Sequence, residues 1–266
     1  MRPVPVGAPN FLPNDKVVSG RLTALDGHPV PAEFHVHGHD RCVVLVHGFY
    51  NSKSAPLLQG LAGELASSFD VALLDLCGHG ASQGLFSWTH REWMDLEVVL
   101  RAARGRYRRV VVIGFSLGGA VSVACLARFP KLADALVCVA VPARLGEVDY
   151  RFWEKGMRRD FVYTLLTPEG RRGKGVRPGF LWGRRDRAIE KIGEVRVPVL
   201  FVHGTDDWVV KPGHSRRLFD AAREPKELKL IQGGPHAEYL LRDCREEFLQ
   251  VLKSWLERVV LEGLEK

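Results

Sequence analysis

The sequence predicts an α/β fold with about eight strands in a mostly parallel sheet and helices on both of its faces. Short apolar runs alternate with segments of helical periodicity along most of the chain, and such runs are typical of strands buried on both faces. The dipeptide Asp26-Gly27 between the first two runs indicates that the sheet begins with a hairpin. With 266 residues, 46% of them hydrophobic, the chain suits one large domain of this kind or two small ones.

Each predicted strand is an apolar or alternating run bounded by turn-forming residues. The runs cover, in chain order, residues 16–24, 30–36, 42–46, 71–76, 110–113, 135–141, 197–202 and 227–231. The predicted helices place apolar residues three and four positions apart, as Leu58, Leu61, Ala62 and Leu65 do in the first of them. They cover residues 57–69, 88–103, 118–129, 213–222 and 242–260, and Pro130 ends the third.

Residues 110–120 join a buried strand to a helix through a turn with the sequence Gly-Phe-Ser-Leu-Gly. Ser116 in this turn is predicted to have a strained backbone, and side chains at the two glycine positions would collide with the neighbouring strand and helix. The helix that follows directs its free N–H groups and its positive dipole end toward Ser116. This arrangement suits a site where negative charge develops during a reaction.

Reactive side chains follow several of the predicted strands, at the edge of the sheet where ligands bind in folds of this class. These residues are His47, Asp75, Ser116, Asp207 and His236. A nucleophilic serine needs a base that takes its proton, and the base needs an acid that fixes its tautomer and stabilises its charged form. Ser116, Asp207 and His236 supply these groups from separate strand ends, in the chain order expected for this strand–turn–helix arrangement.

Five motifs in this order resemble those of the α/β-hydrolase superfamily, and of its small serine esterase and lipase-like group in particular. They are His47-Gly48-Phe49, residues 75–82, residues 114–119, residues 203–210 and Pro235-His236. The resemblance extends from about residue 22 to the C-terminus. It implies an α/β-hydrolase fold with Ser116 as the nucleophile, Asp207 as the acid and His236 as the base. It also implies an oxyanion hole formed by the backbone N–H groups of Phe49 and Leu117.

The acid has alternatives. Asp206 is adjacent to Asp207, and only one of the two can point inward. The family's usual His-Gly-x-x-Asp spacing selects Asp207 and leaves Asp206 to cap the turn. An acid placed after the sixth strand, such as Glu147 or Asp149, is known in relatives. Asp75 is expected to shape the site by anchoring its loop through hydrogen bonds.

The alternation of strands and helices stops at residues 142–196. Because α/β-hydrolases carry a cap over the active-site mouth here, the resemblance implies a core of residues 1–141 and 197–266 with a short cap at 142–196.

Residues 151–191 contain twelve Lys and Arg against five acids, which accounts for the chain's formal charge of +7. These basic residues either attract an anionic substrate, meet an anionic membrane surface or form a solvated face. The aromatic residues of the insertion are candidates for an apolar wall around the substrate, and they are Phe152, Trp153, Phe161, Tyr163, Phe180 and Trp182.

The leading hypothesis is a serine hydrolase that cleaves a small or medium carboxylic ester. Ser116 attacks the carbonyl, an acyl-enzyme forms, and His236 activates water to release the acid. A thioesterase, an amide or peptide hydrolase or a C–C bond hydrolase would use the same triad. A protein of another class, which keeps the triad only to bind a ligand, is the remaining alternative.

The sequence predicts no metal and no cofactor. His35, His37 and His39 share one face of a strand and its end, but no carboxylate or cysteine stands among them. No Gly-x-Gly-x-x-Gly follows the first strand, so a dinucleotide cofactor is unsupported. The expected partner is a small-molecule ester-type substrate and not a nucleic acid, since no nucleic-acid-binding module is recognisable. The oligomeric state is left open.

The cysteines and the lengths of the apolar segments indicate where in the cell the protein is expected. The five cysteines are scattered, mostly within apolar runs, and are expected to be buried free thiols in a reducing compartment. The first twenty residues contain no apolar run of a signal peptide, and no later stretch reaches the length of a membrane span. We therefore expect a cytoplasmic protein without stable membrane insertion.

Overall fold

The eight predicted strands form one sheet in a computed structural model of the chain, in which residues 17–149, 176–177, 179 and 187–261 are described. The strands are β1 (Val17–Thr23), β2 (Pro29–His35), β3 (Arg41–Val46), β4 (Asp70–Leu74), β5 (Arg109–Phe115), β6 (Ala135–Val139), β7 (Val199–Gly204) and β8 (Lys226–Ile231). Their order across the sheet is β1-β2-β4-β3-β5-β6-β7-β8. The pairs β1–β2 and β2–β4 are antiparallel, and all the others are parallel. The mostly parallel sheet predicted from the sequence is confirmed.

Seven α-helices in the described part of the chain accompany the sheet. They are α1 (Pro56–Leu65), α2 (Glu92–Arg104), α3 (Leu117–Arg128), α4 (Ala188–Lys191), α5 (Gly213–Ala221), α6 (Leu240–Asp243) and α7 (Arg245–Leu256). Short 3-10 turns lie at Leu145–Glu147, Ile192–Glu194 and Ala237–Tyr239, and the π-helical turn Glu257–Leu261 follows α7. Within the described ranges, no helix combines the length and the apolar character needed to cross a bilayer.

The central strands bury side chains on both faces of the sheet. Val44 and Val112 belong to the apolar core on the face covered by α2 and α3. Leu45 and Val111 belong to the core on the opposite face, which α1 and α7 cover. Because β3 to β8 pair in parallel, the loops that follow these strands lie at one edge of the sheet.

Two helices differ from their predicted bounds for local reasons. α2 begins at Glu92 and not at residue 88, because Trp88 and Thr89 have φ values of 60° and 75°, which a right-handed helix cannot include. The predicted helix 242–260 is interrupted at Cys244, whose φ of −134° and ψ of 36° separate α6 from α7.

The cysteines agree with the prediction in four cases of five. Cys42, Cys77, Cys125 and Cys138 are buried free thiols, whereas Cys244 is free but partly exposed.

The predicted cap at residues 142–196 falls mostly outside the described residues. Its described parts are 142–149, 176–177, 179 and 187–196. The six aromatic residues named for the substrate wall all lie outside the described ranges, as does the chain before residue 17.

Candidate active site

Ser116 lies in the turn between β5 and α3 and has a strained backbone. Its φ of 48° and ψ of −113° are unusual for a non-glycine residue and cost about 1–3 kcal/mol. Its N–H donates to Val139 O at 2.8 Å, which holds the turn against β6. A Cβ on Gly114 would come within 2.5 Å of the backbone of α3, and one on Gly118 within 2.3 Å of Val46 O. The sequence prediction of a tight serine turn with two required glycines is therefore confirmed.

The structure brings Ser116, His236 and Asp207 into contact. His236 Nε2 lies 3.0 Å from Ser116 Oγ, and His236 Nδ1 lies 2.6 Å from Asp207 Oδ2. When Nδ1–H donates to the carboxylate, Nε2 is left as an acceptor for the serine hydroxyl proton. The three residues follow β5, β8 and β7 respectively, so three separate strand ends meet at this point.

Asp207 is buried and receives hydrogen-bond donors at both carboxylate oxygens. Oδ1 accepts the backbone N–H groups of Val209 at 2.9 Å and Val210 at 2.8 Å. Oδ2 faces His236 and also lies 3.1 Å from Nε2 of His203. Burial alone would raise the pKa of Asp207, but the charge of His236 and the hydrogen bonds from both histidines outweigh it and hold the pKa well below its usual range. The carboxylate is therefore ionised at neutral pH.

His203, at the end of β7, is a site residue to which the sequence analysis gave no role. Its ring is fully buried, with Nδ1 2.6 Å from Ser215 Oγ and Nε2 2.7 Å from Val210 O. These contacts fix the ring against Asp207. The sequence signals His203 only as part of a strand-end His-Gly pair, and its neighbour Ser215 comes from α5.

The other acids considered from the sequence lie at different places. Asp206 is exposed, and its carboxylate lies 3.3 Å from the hydroxyl of the preceding threonine, in the turn where it was expected. Glu147 pairs at the surface with an arginine side chain of α5 at 2.5 Å. Asp149 lies next to the acid loop, because its backbone N–H donates to Val209 O at 3.1 Å.

The loop after β3 carries Phe49, the first of the two predicted oxyanion donors. His47 is buried in this loop, and burial lowers its pKa to about 4, so its ring is neutral. Its Nε2 accepts the Leu76 N–H at 3.1 Å, so Nδ1 carries the proton and donates to Gly48 O at 2.8 Å. The second predicted donor, Leu117, is the first residue of α3, where an N–H has no partner within the helix.

Asp75 anchors the loop after β4 by hydrogen bonds, as predicted. Its Oδ1 accepts the Lys53 N–H at 2.8 Å, and its Oδ2 accepts the Ala81 N–H at 2.9 Å. The backbone N–H of Arg177, from the predicted cap, donates to Gly78 O of the same loop at 2.8 Å. This loop therefore connects the sheet edge to the insertion.

Aromatic rings pack around Phe49. The ring centroids of Phe86, His79 and Trp88 lie 5.5, 5.9 and 6.2 Å from that of Phe49. Burial, with a smaller effect of the neighbouring His47, lowers the pKa of His79 to about 3, so this ring is also uncharged. Because Phe49 is 37% exposed, the cluster offers an accessible apolar surface beside the predicted oxyanion donor.

The histidines weighed as metal ligands contact protein groups. His35 Nε2 lies 2.6 Å from Glu33 Oε1, and His39 Nε2 lies 2.9 Å from Ala66 O. The backbone N–H of His37 donates to Asp70 at 2.8 Å. Among the residues that the structure describes, no group of three or more His, Cys, Asp or Glu could hold a metal ion.

Two family profiles match the chain. The one described as alpha/beta hydrolase fold matches residues 41–168, and the one described as serine aminopeptidase, S33, matches residues 180–241. Together with the sheet order and the strand–turn–helix at Ser116, these matches show that the chain belongs to the α/β-hydrolase superfamily.

Individual relatives are distant. The alpha/beta hydrolase domain-containing protein 17B of Homo sapiens is 27% identical over 188 residues, which are 69% of this chain and 55% of that protein. The chain thus spans about half the length of this relative. The protein YfhR of Salmonella typhimurium is 28% identical over 227 residues, 80% of this chain and 72% of that one.

Solved structures share the fold. The Pyrococcus furiosus esterase Pf2001 superposes with a TM-score of 0.72 and 19% identity, covering 94% of this chain and 96% of the esterase. The esterase EaEST of Exiguobacterium antarcticum superposes with a TM-score of 0.69 and 16% identity, covering 89% and 98%. At these identities, the likeness concerns the fold alone.

Proposed function

We propose that this protein is a serine hydrolase that cleaves a small or medium carboxylic ester through an acyl-enzyme intermediate. The observation that carries the proposal is the unbroken chain of contacts from Ser116 Oγ through both ring nitrogens of His236 to Asp207. The superfamily to which the chain belongs, and the esterases among its structural neighbours, support the same reaction class.

In the proposed reaction, His236 takes the proton of Ser116 while Oγ forms a bond to the substrate carbonyl carbon. The tetrahedral intermediate collapses when His236 gives that proton to the leaving alcohol, which leaves the acyl group on Ser116. Water, deprotonated by His236, then attacks the acyl carbon, and the acid departs as the serine regains its proton.

The electrostatic roles follow from the environment of each group. Asp207 is ionised, so it stabilises the imidazolium that His236 becomes at each proton transfer and holds its tautomer with the proton on Nδ1. The N–H groups of Phe49 and Leu117 stabilise the negative oxygen of the tetrahedral intermediates. Loss of one such donor typically costs about 10²–10³-fold in kcat.

The aromatic cluster of Phe49, Phe86 and Trp88 favours an apolar substituent on the substrate. We further propose that residues 142–196 form a cap over this site. Backbone hydrogen bonds support that placement, since Arg177 N–H donates to Gly78 O and Gly179 N–H donates to Phe86 O.

A second candidate is an amide or peptide hydrolase that uses the same three side chains. The match of residues 180–241 to the serine aminopeptidase family favours it specifically. An anilide or aminoacyl-anilide substrate distinguishes it from an esterase, because an amine is a poorer leaving group than an alcohol and depends more strongly on the proton that His236 donates.

The test is turnover of a panel of p-nitrophenyl esters, alkyl thioesters and anilides of increasing acyl length. We expect ester turnover by the wild type and none above the uncatalysed rate by Ser116→Ala. A larger acceleration over the uncatalysed rate for anilides than for esters would favour the second candidate. If the wild type has no activity on any member and is not labelled by a fluorophosphonate probe, the hydrolase proposal is wrong.

A further inference from the structure

Glu238 connects the loop of the base to the loop of the predicted oxyanion hole. Its side chain is buried, with 7% of the residue exposed, and its Oε1 accepts the backbone N–H of Gly48 at 2.8 Å. The same oxygen accepts Asn51 Nδ2 at 3.3 Å. The contact is tight, since a Cβ on Gly48 would come within 2.8 Å of Oε1. A buried carboxylate is costly unless hydrogen bonds satisfy it, so this contact is a built feature of the site.

The position of Glu238 in the chain links it to His236. Only Ala237 separates the two, and its φ of 45° is a left-handed conformation that alanine rarely adopts. This backbone sends the His236 ring toward Ser116 and the Glu238 carboxylate toward Gly48. One short segment therefore sets the place of the base and contacts the oxyanion loop.

Both peptide groups of Gly48 are consequently held. Glu238 fixes the Gly48 N–H, and the neutral His47 ring fixes the Gly48 carbonyl through Nδ1 at 2.8 Å. In a trans peptide, the carbonyl and the following N–H point in opposite directions. The Phe49 N–H therefore points away from the His47 ring, in an orientation that cannot change while these two contacts last.

We infer that Glu238 is a positioning residue that orients the Phe49 N–H as an oxyanion donor and keeps it in register with His236. The inference rests on the proposed hydrolase function. The effect of Glu238 depends on how far its side chain extends, because the acceptor oxygen must come within hydrogen-bond distance of the Gly48 N–H. It does not depend on the negative charge of Glu238, because a negative charge near the forming oxyanion would destabilise that oxyanion.

Two substitutions separate reach from charge. Glu238→Gln keeps an acceptor oxygen at the same distance and removes the charge, whereas Glu238→Asp keeps the charge and shortens the side chain by one methylene. We expect kcat on a p-nitrophenyl ester to stay within about threefold of wild type for Glu238→Gln and to fall about 10- to 100-fold for Glu238→Asp, with KM changed less than threefold in both. Thermal melting of each variant shows that the comparison concerns folded protein.

A second readout concerns the tetrahedral state directly. A boronic acid that adds to Ser116 places an oxygen where the oxyanion forms, so its affinity should fall for Glu238→Asp in proportion to kcat and stay near wild type for Glu238→Gln. Glu246→Asp makes the same chemical change at an exposed glutamate in the first turn of α7, so it serves as the matched control and should leave kcat within threefold.

The outcomes separate this inference from the proposed function. If the wild type hydrolyses esters through Ser116 but Glu238→Asp is as fast as the wild type, or Glu238→Gln is the slower of the two, the positioning role is wrong and the hydrolase stands. If the wild type hydrolyses nothing in the panel, both fall together.

Discussion

Replacement of Asp207 by asparagine tests the tautomer of His236. The new amide oxygen can still accept the N–H groups of Val209 and Val210, now 2.9 and 2.8 Å from Oδ1. The amide nitrogen then occupies the place of Oδ2, 2.6 Å from His236 Nδ1. Because an amide nitrogen only donates, the His236 proton is forced onto Nε2, where the ring cannot accept the Ser116 proton.

The expected cost follows from this change of tautomer. The wrong tautomer and the lost carboxylate charge together lower kcat by about 10³–10⁴-fold, or about 4–5.5 kcal/mol of transition-state stabilisation, with KM nearly unchanged. Steady-state hydrolysis of a p-nitrophenyl ester measures both constants. Asp206→Asn is the matched control, since Asp206 is exposed in the same turn, and it should retain kcat within about twofold.

Either of two results would refute the reasoning. If Asp207→Asn kept kcat within tenfold of the wild type, or if Asp206→Asn lost as much as Asp207→Asn, the acid of the proposed triad would lie elsewhere. Asp149, whose backbone contacts the acid loop, would be the next residue to replace.

The remaining predictions concern stability. The contact of His28 Nε2 with Oδ1 of Asp95, a buried carboxylate of α2 at 2.5 Å, raises the pKa of His28 from 6.5 to about 9 in spite of burial. The stability that this ion pair contributes is therefore present below about pH 6.5 and lost as the pH rises toward 9. Over that pH range, the free energy of unfolding should therefore fall by about 1–2 kcal/mol more for the wild type than for His28→Gln, after allowance for solvent screening. Urea unfolding at several pH values measures this difference, and an equal pH dependence of the free energy of unfolding in both proteins would contradict it. Gly118→Ala should destabilise by about 3 kcal/mol because its Cβ meets a backbone carbonyl at 2.3 Å, whereas Gly213→Ala, whose Cβ enters open space, should not lower the urea midpoint. Tyr107→Phe removes the hydroxyl 2.9 Å from buried Asp70 and should lower the melting temperature through a cost of about 1–3 kcal/mol; an unchanged melting temperature would show that this bond contributes nothing.

The sequence was most informative where local pattern and sheet topology agree. Buried strands are recognisable in the sequence as apolar runs. The serine turn is recognisable from residues 114–119, because steric crowding requires its glycines. Because parallel strands end at a common edge, residues after β5, β7 and β8 could be expected near one another. The same rule predicts that Ser116, Asp207 and His236 lie close together.

The contacts that support the triad could not be predicted in this way. Glu238 and Gly48 are 190 positions apart in the chain. The ring of His203, which faces Asp207, is held in part by Ser215 of α5. Such contacts depend on side-chain packing between elements, which has no period in the sequence. The late start of α2 could not be predicted either. Trp88 and Thr89 adopt a left-handed backbone conformation, which their residue types normally avoid.

The central claim is that an acyl group is transiently bound to Ser116, and acid-quenched mass spectrometry tests it most directly. The protein is mixed with excess p-nitrophenyl ester, quenched within milliseconds to seconds, digested and analysed for a peptide that carries the acyl mass. We predict the acyl mass on the peptide that contains Ser116 after a burst of about one nitrophenol per protein, and no such peptide from Ser116→Ala. Turnover by the wild type without this adduct, or with the acyl group on another residue, would contradict the account.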